Sequence, residues 1–231
     1  MIAKEKPLIW QRMQVARGGR VLSYPAIVRA AMRVADRGGL AAVTMRDVAA
    51  ALGSGTMSLY RYVEGKDDLL DLILDAAYGE IELPARPAGW WQCFRQVGVG
   101  TRRMLLRHPW IAVLVTCRPT LGPNYLRWFE TMLAATEGEG RAMRTRLRMI
   151  GTFWAYIAGF AAYEAGEKEN RRRHKLSEAA MRKLVAPYLE GVFSGGEFPH
   201  LQAFLKSGSS NPTDADFRAG MDAVIAGLEF L

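Results

Sequence analysis

Cysteine and histidine are scarce in this 231-residue chain, two and three residues respectively, and that scarcity removes several kinds of chemistry at the outset. Cys93 and Cys117 form no Cys-x-x-Cys pair and stand at no metal-ligand spacing from a histidine, so a zinc site and a dithiol redox centre find no ligands. Both are expected as buried, reduced thiols. His108, His174 and His200 are scattered, and His108 before Pro109 reads as a helix boundary. Also missing are the GxSxG, HExxH, Walker and GxGxxG patterns; Gly98-Val99-Gly100 lacks the third glycine and falls inside a helical pattern. An enzyme therefore shows none of its parts, and no metal or cofactor is expected. No alternation of apolar and polar residues is long enough for a strand, and no internal repeat occurs. The most apolar stretch, Met149 to Ala165, starts just after Arg148 and includes Glu164. It falls short of the roughly 20 apolar residues that cross a bilayer. The opening MIAKEKPLIW lacks the apolar core and small-residue cleavage site of a secretion signal, which places the expected protein in the cytoplasm.

What is present is a globular composition, 50% hydrophobic and 23% charged, with a net charge of +8 that suits a polyanionic partner. The charge is unevenly placed. Residues 1–22 hold Lys4, Lys6, Arg12, Arg17 and Arg20 against Glu5 alone, and read as a flexible basic arm. Arg12, Arg17 and Arg20 fit either a solvated tail or an arm entering a DNA minor groove. Order begins at Ser23, an N-cap followed by Pro25 and by Ile27, Val28, Ala31, Met32 and Ala35 at helical spacing, ending at Gly38-Gly39. Thr44 caps a second helix, with Asp47 three residues on in a short-acid capping box, and Gly53 stops it. A third runs from Thr56 to Val63 and a fourth from Lys66 to Ile81.

Pro84 and Pro87 mark a junction, so residues 23–82 are expected as a head and 83–231 as a body. The body reads as helices over 90–107, 109–117, 124–136, 141–168, 177–192, 201–206 and 214–231, with a polar loop at 206–214 and a solvated loop at Arg171-Arg172-Arg173-His174-Lys175. The fold class is all-α: an N-terminal helix-turn-helix three-helix head and a larger helical body.

Two short helices joined by a tight glycine turn, with a third supporting them, are the geometry of a helix-turn-helix reader. The second of them carries Thr56, Met57, Ser58, Tyr60, Arg61 and Tyr62, where an ordinary surface helix would carry Glu and Lys. Leu59 and Val63 anchor it, which leaves the other face for bases and phosphates.

The stretch TMRDVAAALGSGTMSLYRYVEGKDDLLDLIL, 44–74, with its ALG turn, SLYRYV core and GKDDLL start, resembles the DNA-binding head of the tetracycline-repressor (TetR) family of bacterial regulators. The likeness covers about residues 23 to 75, and the body matches only in kind. It implies a homodimeric, sequence-specific DNA-binding transcriptional regulator, a repressor released from a palindromic operator by a small apolar or amphipathic effector. It implies a base contact from Arg46, base-edge positions for Thr56, Met57 and Ser58, phosphate contacts from Tyr60 and Tyr62, and a phosphate grip by Lys66 at a helix start. Arg61 is a further DNA candidate. Met57 departs from the small residue or proline frequent at its place, so base preference does not carry over. Tyr60 as packing and Lys66 as a solvated helix end are the bland alternatives.

In the body, Phe217, Gly220, Val224, Gly227 and Leu228 on the last helix, and Gly159, Ala162 and Gly166 on the long one, suggest close-packing seams. In the resembling family a four-helix dimer interface uses two such helices from each subunit; intramolecular core accounts for part of the same pattern. Phe94, Trp110, Trp128, Phe129 and Trp154 are candidate effector-binding residues, with plain aromatic core as the alternative. A constitutive DNA-binding or adaptor protein, whose body only dimerises, shares the head and stays open.

Overall fold

The computed structural model describes residues 7–15, 22–85, 89–117, 121–137, 140–174, 178–206 and 213–231. Every regular element among them is a helix. The chain forms two compact units, residues 1–162 with 221–231 and residues 163–220.

The first unit opens with α1 (Ile9–Val15), α2 (Tyr24–Ala42), α3 (Met45–Ala51), α4 (Thr56–Leu59) and α5 (Lys66–Tyr78). Ser23 caps α2, its Oγ accepting the Ala26 N–H at 3.4 Å. The helix breaks at Gly39, whose φ of 69° lies in the left-handed region that glycine occupies without steric cost. Thr44 caps α3 as expected: its Oγ1 accepts the Asp47 N–H at 3.1 Å and donates to the Asp47 carboxylate at 2.6 Å. Ile27, Ala30, Ala31 and Ala35 of α2 are buried with Val48, Leu59, Val63, Leu69 and Ile73. Three alanines on one face let α2 lie close to α3 and α5.

Two expectations are corrected here. Part of the supposed flexible arm is the helix α1, because Ile9 is an apolar anchor, 2% exposed, and Arg12 clamps the start of α5 by ion pairs to Asp68 and Glu64. Arg12 is thereby committed within the head; Lys4, Lys6, Arg17 and Arg20 lie outside the described residues. The helix expected over 56–63 closes at Leu59, and Tyr60 to Tyr62 continue as turns, with the Tyr62 and Val63 N–H groups both bonded to the Leu59 carbonyl.

The same unit continues with α6 (Trp90–Arg107), α7 (Trp110–Cys117), α8 (Pro123–Ala135) and the first part of α9 (Met143–His174), and takes in the end of α12 (Asp214–Leu228). A Cβ at Gly98 on α6 would meet Met221 Sδ and Phe153 Cζ, each at 2.8 Å, so glycine is what lets α6 lie this close to α9 and α12. Helix α8 is held at both ends by charge matched to its dipole. At its N-terminus Asp75 Oδ1 of α5 accepts the N–H groups of Asn124 and Tyr125 at 2.9 and 3.0 Å, and at its C-terminus the Arg146 guanidinium donates to the Leu133 carbonyl.

The second unit holds the end of α9, α10 (Glu178–Phe193), α11 (Pro199–Lys206) and the start of α12. The loop expected at 171–175 is helical through His174, as the last turn of α9, and Lys175 lies outside the described residues. Between α10 and α11 lies a groove of about 440 Å³ lined by Val185, Leu189, Phe193 and Leu205. No residue of α11 is buried. Residues 207–212 of the expected polar loop lie outside the described residues.

Candidate nucleic-acid interface and effector core

Helix α4 is one turn long and is anchored by Leu59, which is fully buried. Met57 and the turn that follows α4 carry the outward chemistry. Met57 is 78% exposed and Tyr60 46% exposed, while Thr56 and Ser58 are half-buried and Arg61 is exposed. Arg46, on α3, has 87% of its side chain accessible and stands 3.8 Å from Asp47. The glycine turn therefore presents a base-reading repertoire of guanidinium, hydroxyl and methyl thioether groups on one short helix and its neighbour.

Two of the expected phosphate contacts are qualified by the geometry. Tyr62 is turned inward: its hydroxyl donates to the Leu22 carbonyl at 2.7 Å, and its ring meets Tyr24 edge-on at 5.4 Å. Its hydroxyl proton holds the chain ahead of α2 and is not directed outward toward a phosphate. Lys66 is exposed and its ammonium donates to the Leu40 carbonyl at 2.7 Å, leaving two of three protons for a phosphate. The start of α5, however, already carries acids: Asp68 Oδ2 accepts the Glu64 N–H at 2.6 Å. A carboxylate thus occupies part of the space expected for an anion.

The five candidate effector residues separate into three groups. Trp128, Phe129 and Trp154 belong together with Tyr78 and Tyr125: Tyr125 stacks on Trp128 and Phe129 at 6.0 Å, and Trp154 meets Trp128 edge-on at 5.7 Å and stacks on Tyr78 at 6.1 Å. Phe94 belongs to another set, between Trp90 at 5.4 Å and Phe153 at 4.7 Å. Trp110 is elsewhere. Its indole N–H donates to Asp36 of α2 at 2.8 Å, beside His108. Burial raises the Tyr78 and Tyr125 hydroxyls above their ordinary range, and pushes the Cys93 thiol up to about 11, so that this cysteine is an inert core residue. Trp128 Nε1 and Thr101 Oγ1 are buried without a protein partner.

Sequence reasoning missed the polar links between elements. Asp75 is 4% exposed, and burial raises its carboxyl against the opposing pull of the Tyr125 and Asn124 N–H groups. Asp36, Glu80 and His108 meet although Asp36 precedes the histidine by 72 residues. Nothing local in the sequence announces such pairs; an acid directly after the apolar run Leu72, Ile73 and Leu74, as Asp75 is, was the available signal for one of them.

The small-residue seams are partly open. Gly159, Ala162, Gly166 and Gly227 are exposed, and a Cβ at Gly159, Gly166 or Gly227 would meet nothing within 4 Å. Gly220 and Val224 are half-buried. Phe217 and Leu228 are corrected: at 0% and 2% exposure they lie with Met221 and Ile225 on the inward stripe of α12, which makes them core of the single chain.

Residues 27–78 match the family model for bacterial regulatory proteins of the tetR family, and residues 83–231 match that for the tetracyclin repressor-like C-terminal domain. The chain is 34% identical over 234 residues to the HTH-type transcriptional repressor DrrR1 of Streptomyces coeruleorubidus, across 100% of this chain and 86% of that one. It is 32% identical over 222 residues to an HTH-type transcriptional regulator of Saccharopolyspora erythraea, across 95% and 90%. Among solved structures it is similar to apo ActR of Streptomyces coelicolor, with a TM-score of 0.74 and 26% identity over 91% of this chain and 96% of that one. ActR in complex with actinorhodin gives a TM-score of 0.72 and 27% identity over 90% and 97%.

Proposed function

Because this chain belongs to the tetR family of bacterial regulatory proteins, we propose that it is a dimeric repressor, released from a palindromic operator by a small effector held in its body. The observation that carries the DNA-binding half is the outward chemistry of the α3–α4 pair, where Arg46, Met57, Tyr60 and Arg61 are exposed around a buried Leu59. Thr56 and Ser58 face base edges beside Met57, and Lys66 holds a phosphate with the protons that Leu40 leaves it. The reading is of a regulator rather than an enzyme, working in the cytoplasm; no helix among the described residues is long and apolar enough to cross a membrane.

The effector half rests on Tyr78, Tyr125, Trp128, Phe129 and Trp154. These rings supply flat apolar surface, and the unpartnered Trp128 N–H supplies a donor whose burial without an acceptor costs about 1–3 kcal/mol. An aromatic or amphipathic molecule with carbonyl or phenolic oxygens satisfies both. Similarity to ActR, whose structure is known with actinorhodin, supports an effector of some size. Selection of bound duplexes from a random pool tests the first half: an enriched palindrome is expected, and a pool that stays random overturns the reading. Titrating 9,10-anthraquinone and anthracene into the complex with that palindrome tests the second. Tryptophan quenching and duplex release by the quinone, weaker with the hydrocarbon, is expected; failure of a broad panel of oxygenated aromatics to release the duplex leaves the constitutive DNA-binding protein as the better description.

The dimer is proposed to form on the exposed small residues Gly159, Ala162, Gly166 and Gly227, with Gly220 and Val224 at the margin. Gly227→Arg is expected to shift the protein to monomer in sedimentation at micromolar concentration, because a guanidinium cannot enter a close helix seam without losing its water. Nothing in the single chain lies within 4 Å of a Cβ there, so the fold itself tolerates the change. A variant that sediments as the wild-type dimer removes α12 from the interface.

A further inference from the structure

The corner between α6 and α7 carries a polar junction that neither dimerisation nor base reading explains. His108 is 3% exposed, and each of its ring nitrogens faces a carboxylate: Nδ1 stands 2.6 Å from Asp36 Oδ1 of α2, and Nε2 stands 3.2 Å from Glu80 Oε1, just beyond the end of α5. The flanking residues repeat the grip. Trp110 Nε1 donates to the same Asp36 oxygen at 2.8 Å, and Arg107 donates to Glu80 Oε2 at 2.8 Å. Arg107, His108 and Trp110 at one corner of the body thus meet two acids of the head, Asp36 on α2 and Glu80 beyond the end of α5.

We propose that His108 is a positioning residue that sets the operator half-site spacing the protein accepts, by fixing the head to the body at two points. The inference rests on the reading of this chain as a dimeric operator binder. A single hydrogen bond between two helices leaves rotation about it free. Two contacts on different segments, Asp36 in α2 and Glu80 after α5, remove that rotation, and both converge on one ring, which donates to both acids when each of its nitrogens carries a proton. The imidazole is rigid, so it transmits position where a flexible Lys would not. Charge-assisted bonds to partly buried carboxylates, 35% and 30% exposed at the side chain, are stronger than neutral ones and are weakened little by salt. In a dimer the separation of the two α4 helices is then dictated by the body, and one base pair of added spacing displaces a half-site by about 3.4 Å along the axis and by roughly 35° around it. A head fixed at two points cannot follow that displacement. A head that loses this junction and keeps the Asp75–α8 contact has more freedom to follow it.

The test compares palindromes enriched by the wild-type protein with the same half-sites moved one base pair closer or farther, by fluorescence anisotropy. Wild type is expected to prefer its own spacing at least tenfold. In His108→Ala the preference falls to threefold or less, chiefly through gained affinity for the wrong spacings. Asp36→Asn, at a partly exposed acid, and Trp110→Phe, which removes one N–H and keeps the ring, are expected to give intermediate preferences and guard against a folding defect in the first variant. A merely structural role predicts equal losses on all three duplexes. Retention of the full tenfold preference in folded His108→Ala and Asp36→Asn, or a wild type indifferent to spacing while still selecting a palindrome, overturns the proposal. Failure to enrich any palindrome overturns the operator reading on which it rests, before spacing is measured.

Discussion

One methyl group added at Gly122 is expected to cost more stability than any other single glycine-to-alanine change in the described part of the chain. An ideal Cβ there would lie 2.2 Å from Asp75 Oδ1, 2.3 Å from its Cγ and 2.5 Å from its Cβ. The carboxylate cannot turn aside, because its two oxygens accept from the Asn124 N–H, the Tyr125 N–H and the Asn124 amide. Either α8 moves away from α5 or the carboxylate leaves its donors, and each route breaks a buried arrangement. Overpacking alone costs about 1–3 kcal/mol and orphaned buried partners add to it, so a loss of roughly 2–4 kcal/mol is expected. On a chain of this size that lowers the melting midpoint by on the order of 10 °C. Gly151→Ala is the internal comparison. That glycine is exposed within α9 with nothing inside 4 Å, and alanine there gains up to about 1 kcal/mol of helix propensity. Calorimetric melts that rank the two variants equally would show that the α5–α8 contact is looser than these distances state.

The second large effect concerns DNA. Met57→Asp places a carboxylate on the most exposed position of α4, 78% accessible, where it would meet bases and flanking phosphates. Repulsion across such a surface costs several kcal/mol. Binding to the selected palindrome is expected to fall by ~100-fold or more, equivalent to about 2.7 kcal/mol. The fold is expected to be indifferent, since an acid in the first turn of a helix suits its dipole. Tyr62→Phe supplies the contrast. It deletes the bond to the Leu22 carbonyl, and is expected to cost about 0.5–1.5 kcal/mol of stability while leaving palindrome affinity nearly unchanged. If the two variants exchanged these phenotypes in anisotropy titrations and melts, Tyr62 would be a DNA contact after all and α4 would face elsewhere.

The contrast between Met57 and Tyr62 shows where reading the chain stops. Both lie in a run rich in hydroxyl, aromatic and basic side chains, and the run itself identifies the reading segment. Which members face outward depends on α4 closing at Leu59 and on the full burial of Leu59 and Val63 in the head. The aromatic residues behave in the same way. Trp128, Phe129 and Trp154 share one ring cluster, whereas Phe94 lies in another and Trp110 belongs to the polar corner with Asp36. An indole offers either an apolar face or an N–H, and its neighbours choose.

The amino-acid sequence by itself determined the helical class, the starts of α2 and α3 at Ser23 and Thr44, the breaks at Gly39 and Gly53, and the segment that carries the DNA-reading chemistry. These follow from interactions within a few residues: caps bond N–H groups two or three positions away, glycine alone reaches positive φ cheaply, and helical periodicity repeats every turn. Tertiary structure decided the rest. It turned Tyr62 inward and Phe217 and Leu228 into the core, drew Arg12 out of a supposed tail onto Asp68, and brought Asp36, Glu80 and His108 to one point. Those outcomes depend on groups far apart in the chain competing for the same partners and the same buried space, and no local pattern encodes which of them wins.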